Sequence, residues 1–155
     1  MDLQQHFLNL QDDKLENIIL NTIQHIDFNN IIELGAGKGD FTKTFMKCNH
    51  PIIAYELDSS LKNEFLEKSI NTTFVVKDIC DNIDMNIQDL IISAPPYNLL
   101  DFINEEYIKK FNMRYILMVS QRQLKLFEGS RTIYTLSGDD FTPVSNGEHY
   151  IITNI

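Results

Sequence analysis

Two cysteines, 13 basic side chains against 22 acidic ones, and no long apolar run are the scarcities that first bound this 155-residue chain. Cys48 and Cys80 form no Cys-x-x-Cys pair, so a disulfide or dithiol framework is not predicted. Both are expected as buried free thiols in a reducing compartment. No apolar stretch approaches the roughly 18–20 residues that span a bilayer, and no signal peptide is expected before the first helical pattern. A cytoplasmic protein with no membrane partner and no metal site is the expectation. The net charge of −9 argues against wholesale coating of nucleic acid. Residues 1–99 hold 7 basic and 15 acidic side chains, whereas residues 100–155 hold 6 and 7. Any phosphate-facing surface is therefore expected from Lys109, Lys110, Arg114, Arg122, Lys125 and Arg131. Repeats, low-complexity tracts and linkers are also missing, which predicts one domain over residues 1–155, large enough for a real core.

What is present is an alternation of strand and helix patterns. Asp12 or Asp13 is placed to cap a helix whose Leu15, Ile18, Ile19, Ile23 and Ile26 keep helical spacing. "NNIIELG" reads as a buried strand, "GDFTKTFMKC" as a helix from near Asp40, and "IIAYEL" as a second strand. "SSLKNEFLEKS" reads as a helix capped by Ser59 or Ser60. "TFVVKDI" and "DLIISA" give the third and fourth strands, "LLDFINEEYIKKF" a helix and "RYILMVS" the fifth strand. "RTIYTL" and "HYIITNI" add two more β-like pieces. Such spacing implies βαβ units, hence an α/β fold with a mostly parallel sheet covered on both faces. Sheets of this kind bind ligands at the carboxyl ends of their strands, near the switch in strand order.

The chemistry-bearing motifs all follow predicted strands. "ELGAGKG", Glu33 to Gly39, is neither the P-loop pattern, because Lys38 stands at the wrong spacing, nor G-x-G-x-x-G, because Gly35, Gly37 and Gly39 give G-x-G-x-G. The tighter loop suits a ligand without a pyrophosphate, such as S-adenosylmethionine. Glu56 ends the second strand, where an acid accepts hydrogen bonds from a ribose diol. Asp78 ends the third, placed for an adenine amino group. Glu33 has two readings: it takes the ligand's amine, or it braces the loop.

"LIISAPPYNLL", Leu90 to Leu100, stops an apolar strand at Pro95 and Pro96 and delivers Tyr97 beside the predicted nucleoside site. Prolines alone would be a strand stop. At this edge they resemble the turn with which amino-group methyltransferases hold a target nitrogen, a tyrosine ring stacking on the flipped base. The chain as a whole resembles the rRNA adenine N6-dimethyltransferase family (KsgA/Erm type). "QHFL" is similar to that family's Gln-Asn-Phe-Leu, "ELGAGKGDFT" to its glycine loop, and "YELDSSL" to its second-strand acid segment. "VVKDI" is similar to its third-strand segment, "SAPPYNLL" to Asn-Leu-Pro-Tyr-Asn-Ile-Ser, and "LMVSQRQ" to its fifth-strand segment. "DDFTPVSNGEHYIIT" is similar to Phe-x-Pro-x-Pro-Lys-Val-x-Ser-x-Val-Val.

The resemblance implies a Rossmann-like class I S-adenosylmethionine-dependent methyltransferase fold of about seven strands, the last antiparallel, in a monomer that acts on RNA. It implies cofactor contacts from Gln5, His6 and Leu8, from Glu33, Gly35 and Gly37 in the loop, from Glu56 and Leu57, from Asp78 and Ile79, and from Ala94. Ala94, Pro95, Pro96 and Tyr97 then form the catalytic turn, with Phe141 across the base pocket. The chain departs from the family pattern in three ways. Ala94 stands where the family has its catalytic Asn, and alternation turns Ser93 away. The segment between "QRQ" and "DDFTP" is short, and no helical C-terminal RNA-binding domain is expected. Ala94 leaves open a catalytically weakened cofactor-binding or protein-interaction module, or a methyltransferase for a small amine or a protein.

Overall fold

The computed structural model describes residues 6–95 and 97–155, and for Tyr97 the backbone alone. In chain order the elements are β1 (Phe7–Leu8), α1 (Lys14–Ile23), β2 (Ile31–Leu34), β3 (Ile52–Glu56), α2 (Lys62–Lys68) and β4 (Thr73–Val76). There follow β5 (Leu90–Ser93), α3 (Tyr97–Ile103), β6 (Arg114–Ser120), β7 (Arg131–Leu136), β8 (Phe141–Thr142) and β9 (His149–Thr153).

Seven strands form one sheet in the order β4-β3-β2-β5-β6-β9-β7. The pairs from β4 through β6 are parallel, and β9 runs antiparallel to both β6 and β7. The expected sheet, with its antiparallel last strand, is the one observed. Its central strands β2 and β5 are buried at every position because both faces are covered, and are apolar at all but Glu33 and Ser93. Ile31, Leu90, Ile92, Ile116 and Ile151 face α1 and the Phe41–Phe45 turn. Ile32, Ile91, Leu117 and Ile152 face Leu100, Ile103 and Tyr107 on the other side. Strand alternation thus divides one apolar sequence between two cores. Each fully buried Ile or Leu contributes about 1.5–3 kcal/mol.

Local chemistry corrects several expectations. Of the two expected caps of α1, Asp13 holds the N-cap position but makes no side-chain cap bond and pairs with Lys47 at 3.3 Å, while Asp12 accepts from the Lys14 amide at 3.1 Å. Asp58, not Ser59 or Ser60, caps the second helical segment; its extended backbone lets the carboxylate take the Ser60 amide at 2.9 Å. The segment expected as a helix from Asp40 is a 3-10 turn over Thr42–Cys48. There the Thr44 hydroxyl donates to the Phe41 carbonyl at 2.7 Å, a local bond that competes with α-helical pairing. The helix after β5 widens to π geometry over Asn104–Lys109. Cys48 is half-buried, and burial pushes its thiol up to about 11. Cys80 is exposed, not buried, because Ile79 is the residue that the following turn folds inward. A separate two-stranded ladder pairs β1 with β8, antiparallel.

Candidate active site at the carboxyl edge

The chain enters the sheet at β2, builds outward through β3 to β4, and returns to place β5 on the other flank of β2. The order therefore switches between β2 and β5, and the segments that leave those two strands flank the crevice where such sheets take ligands.

After β2 the backbone turns through Gly35, Gly37 and Gly39 at φ +76°, +57° and +89°, the left-handed region that glycine enters without steric cost. The Gly35 and Ala36 amides both donate to the Tyr55 carbonyl, at 2.9 and 3.1 Å, which ties the loop to β3. A Cβ at Gly35 or Gly37 would meet nothing within 4 Å, so space lies open over the loop. At Gly39 a Cβ would come within 3.0 Å of Phe65 Cδ2, so there the constraint is packing against α2.

The Glu56 side chain closes the loop's far side. Its Oε2 accepts from the Gly37 amide at 2.7 Å and its Oε1 from the Asp58 amide at 3.1 Å. Leu57 follows it, 65% exposed and outside the core. Strand β4 stops at Val76, so Asp78 stands two residues beyond the strand and does not end it. The Lys77 amide donates to the Glu56 carbonyl at 3.0 Å and holds this segment against β3. Asp78 Oδ1 accepts from the Cys80 amide at 2.9 Å. Ile79 is buried, and its carbonyl accepts from the Tyr107 hydroxyl.

Glu33 is 1% exposed, and both of its oxygens lie in reach of the Thr42 hydroxyl, which donates to it. Burial raises its pKa to about 8; the Thr42 bond opposes that shift and the Glu56 charge adds to it. At neutral pH the carboxyl is mostly protonated, and its visible contact braces the turn that follows the loop.

On the other side of the switch, Ala94 packs against the α1-side core. Ser93, fully buried, donates its hydroxyl to the Leu34 carbonyl. Neither side chain offers the crevice an acceptor. Pro95 is half-buried at the turn, and Tyr97 opens α3. The predictions for Gln5, Pro96 and the Tyr97 side chain lie outside what the structure describes.

The β1–β8 ladder joins two segments that the sequence assigned to different tasks. Leu8 pairs directly with Phe141. The Asn9 amide donates to the Asp140 carbonyl at 2.7 Å, and His6 Nδ1 lies 2.8 Å from the Pro143 carbonyl. Phe141 is buried against His149, ring centroids 4.9 Å apart. His149 opens β9 opposite Ser120, the last residue of β6, which brings Phe141 to the carboxyl edge. Burial, and then the charge of His6, hold the His149 imidazole below its ordinary proton affinity.

The six basic residues divide between the two edges of the sheet. Arg114 and Arg131 begin strands on the opposite edge, spent on the Asp27 and Ile155 carbonyls. Lys109 and Lys110 pair with Glu105 and Glu106 at the end of the helical segment that returns to that edge. Of the six, Arg122 and Lys125 alone lie in the turn at the carboxyl end of β6, exposed over Gln121–Leu126. Sequence reasoning passed over three residues that the structure brings to the site: Thr42, Asn9 and Lys38. Lys38, set aside as a failed P-loop lysine, carries its Nζ 3.9 Å from the Phe7 ring centroid. Its place between two glycines of the loop was the available signal.

Comparison with known proteins agrees with this geometry. The family described as "Ribosomal RNA adenine dimethylase" matches residues 1–127. Ribosomal RNA small subunit methyltransferase A of Mycoplasmopsis synoviae is 24% identical over 149 residues, covering 92% of this chain and 55% of that protein. The probable ribosomal RNA small subunit methyltransferase A of Methanosphaera stadtmanae is 31% identical over 121 residues, covering 73% and 45%. The chain thus spans about half the length of these relatives. Among solved structures, the 23S rRNA methyltransferase ErmE superposes with a TM-score of 0.74 at 17% identity, over 95% of this chain and 68% of that one. A dimethyladenosine transferase from Plasmodium falciparum superposes with a TM-score of 0.72 at 14% identity, over 95% and 62%. These likenesses show a shared Rossmann-like methyltransferase fold, and the match over residues 1–127 shows that the chain belongs to the ribosomal RNA adenine dimethylase family.

Proposed function

We propose that this chain is an S-adenosylmethionine-dependent methyltransferase that acts on N6 of adenine in ribosomal RNA. The observation that carries the reading is the carboxyl-edge arrangement: an open glycine loop, the Glu56 carboxylate bonded to that loop at 2.7 Å, Asp78 beside it, and the Ala94–Pro95 turn across the strand switch. The donor set fits the cofactor. Glu56 retains free lone pairs for a ribose diol, Asp78 stands where an adenine amino group is received, and the space over Gly35 and Gly37 admits the methionine portion. His6, Leu8, Leu57 and Ile79 are the further residues that would touch the cofactor. When bound, the cofactor supplies an electrophilic methyl group on a sulfonium.

The chain's own residues act by placement. The target amine is held in line with the methyl group, and most of the acceleration comes from that alignment. The bound cofactor would supply the methyl group and keep the sulfur–carbon electron pair, and the target nitrogen would give its proton to solvent, so no side chain of this chain is required as a general base. Phe141 bounds the base pocket, and Tyr97 at the start of α3 stacks on the adenine. With Ala94 lacking an acceptor and Ser93 committed to Leu34, the amine is received by backbone carbonyls of the Ala94–Pro95 turn. The protein works as a monomeric cytoplasmic domain; among the described residues no helix is long and apolar enough to cross a membrane. Exposed Arg122 and Lys125 face the RNA.

Ala94 favours a second reading, a cofactor-binding module without catalysis. Calorimetric titration of the protein with S-adenosylmethionine tests what both readings share. Saturable one-to-one binding supports them, and no heat at any accessible concentration overturns both.

A further inference from the structure

Lys38 is not a solvated surface lysine. Its side chain is 23% exposed and its ammonium meets groups from two other elements. The Nζ stands 3.9 Å from the Phe7 ring centroid in β1 and 3.6 Å from Glu64 Oε1 in α2. That same Glu64 oxygen takes Lys68 at 3.7 Å, and Lys68 reaches back to Asp40 at 3.1 Å, just past the loop. A cation held over an aromatic face is attracted by the ring quadrupole, more strongly when shielded from water. Gly37 and Gly39 on either side of Lys38 adopt positive φ, and the Gly37 amide is fixed by Glu56. The base of the lysine is therefore anchored at the same point that the cofactor acid anchors.

At its tip the lysine touches β1, which otherwise belongs to the ladder with β8. That ladder carries Phe141, on the acceptor side of the site, and it is stitched by Asn9 to Asp140 and by the Asn9 side-chain amide to Thr142, both at 2.7 Å. Lys38 thus bridges the loop on the cofactor side and the flap on the acceptor side. We propose that Lys38 is a positioning residue that fastens the β1–β8 flap to the glycine loop, so that cofactor binding and ordering of the acceptor pocket reinforce each other. This rests on the methyltransferase reading above for the identity of the two ligands, but the fastening itself does not.

The test uses the full chain in five forms: wild type, Lys38→Met, Lys38→Arg, Phe7→Leu and the Phe7→Leu/Lys38→Met double variant. Met keeps the length and apolar stem without the charge, and Arg keeps a cation able to sit on the ring. Hydrogen exchange at the Asn9 amide reads the fastening in the free protein. S-adenosylmethionine titration and single-turnover methyl transfer read its consequences. Lys38→Met and Phe7→Leu should each speed Asn9 exchange and weaken cofactor affinity roughly five- to tenfold, and Lys38→Arg should restore both. The Phe7→Leu/Lys38→Met double variant should be no worse than either single one, because both remove the same contact. Unchanged Asn9 exchange in Lys38→Met, or an arginine variant that behaves like the methionine one, overturns the proposal. If wild type binds no S-adenosylmethionine the methyltransferase reading fails, and the exchange arm still decides the fastening.

Discussion

The Glu56 carboxylate reaches from the end of β3 to the Gly37 amide, 2.7 Å away, and so holds the loop that follows β2. One side chain thereby shapes the glycine loop and presents lone pairs to whatever lies above it. Charge-assisted bonds of this kind are about twice as strong as neutral ones. Glu56→Ala should lose roughly 2–3 kcal/mol of S-adenosylmethionine affinity, about 30- to 150-fold, in a calorimetric titration. Glu56→Gln, which can still accept from Gly37, should fall between the two. Affinity within about threefold of wild type in the alanine variant would place the ribose elsewhere.

Ala94 leaves the crevice without a side-chain acceptor, and Ser93 cannot substitute while its hydroxyl serves the Leu34 carbonyl. Ala94→Asn should raise single-turnover methyl transfer to RNA by about 10²–10³, by analogy with restoring one oxyanion-hole donor. Cofactor affinity should change little, because Glu56 ends β3 and Asp78 lies just beyond β4, both away from β5. An asparagine variant no faster than a fast wild type would show that the backbone carbonyls suffice.

Glu33 makes a pH prediction whose sign follows from its burial. Its folded pKa of about 8 lies above the ordinary carboxyl value of 4.5, so the native state holds a proton that the unfolded chain releases between those limits. Its contribution is fully favourable below the unfolded pKa and is lost as pH rises through about 8. Glu33→Gln keeps an acceptor for Thr42 but cannot ionise. Denaturant unfolding should show the variant and wild type similar near pH 5, and the variant more stable by a few kcal/mol near pH 9. Parallel stability curves across that range would mean that Glu33 titrates normally.

The two-sided sheet was legible because Ile31 and Ile32, or Ile91 and Ile92, must both be buried wherever the strand lies, and only a covered parallel sheet allows it. The positions of Gly35, Glu56 and the Ala94 turn at the carboxyl edge were legible because each ends or follows such a strand. Helix starts were less so: Asp12 competes with Asp13, and Asp58 with Ser59 and Ser60, and the choice rests on backbone dihedrals that the sequence does not display. The β1–β8 pairing was hidden, since strands of two residues have no alternation to read. The basic residues misled for a geometric reason. Sequence position tells which half of the chain holds Arg114 and Arg131, but only the direction of β6 and β7 shows that strand starts lie away from the site.

Methyl transfer to adenine N6 is read by single-turnover incubation with labelled S-adenosylmethionine and ribosomal RNA, followed by mass spectrometry of the digested nucleosides. Label should appear in N6-methylated adenosine with wild type, more of it with Ala94→Asn, and be lost with Glu56→Ala at subsaturating cofactor. Label on no nucleoside with either wild type or Ala94→Asn, in a protein that binds the cofactor, would contradict it.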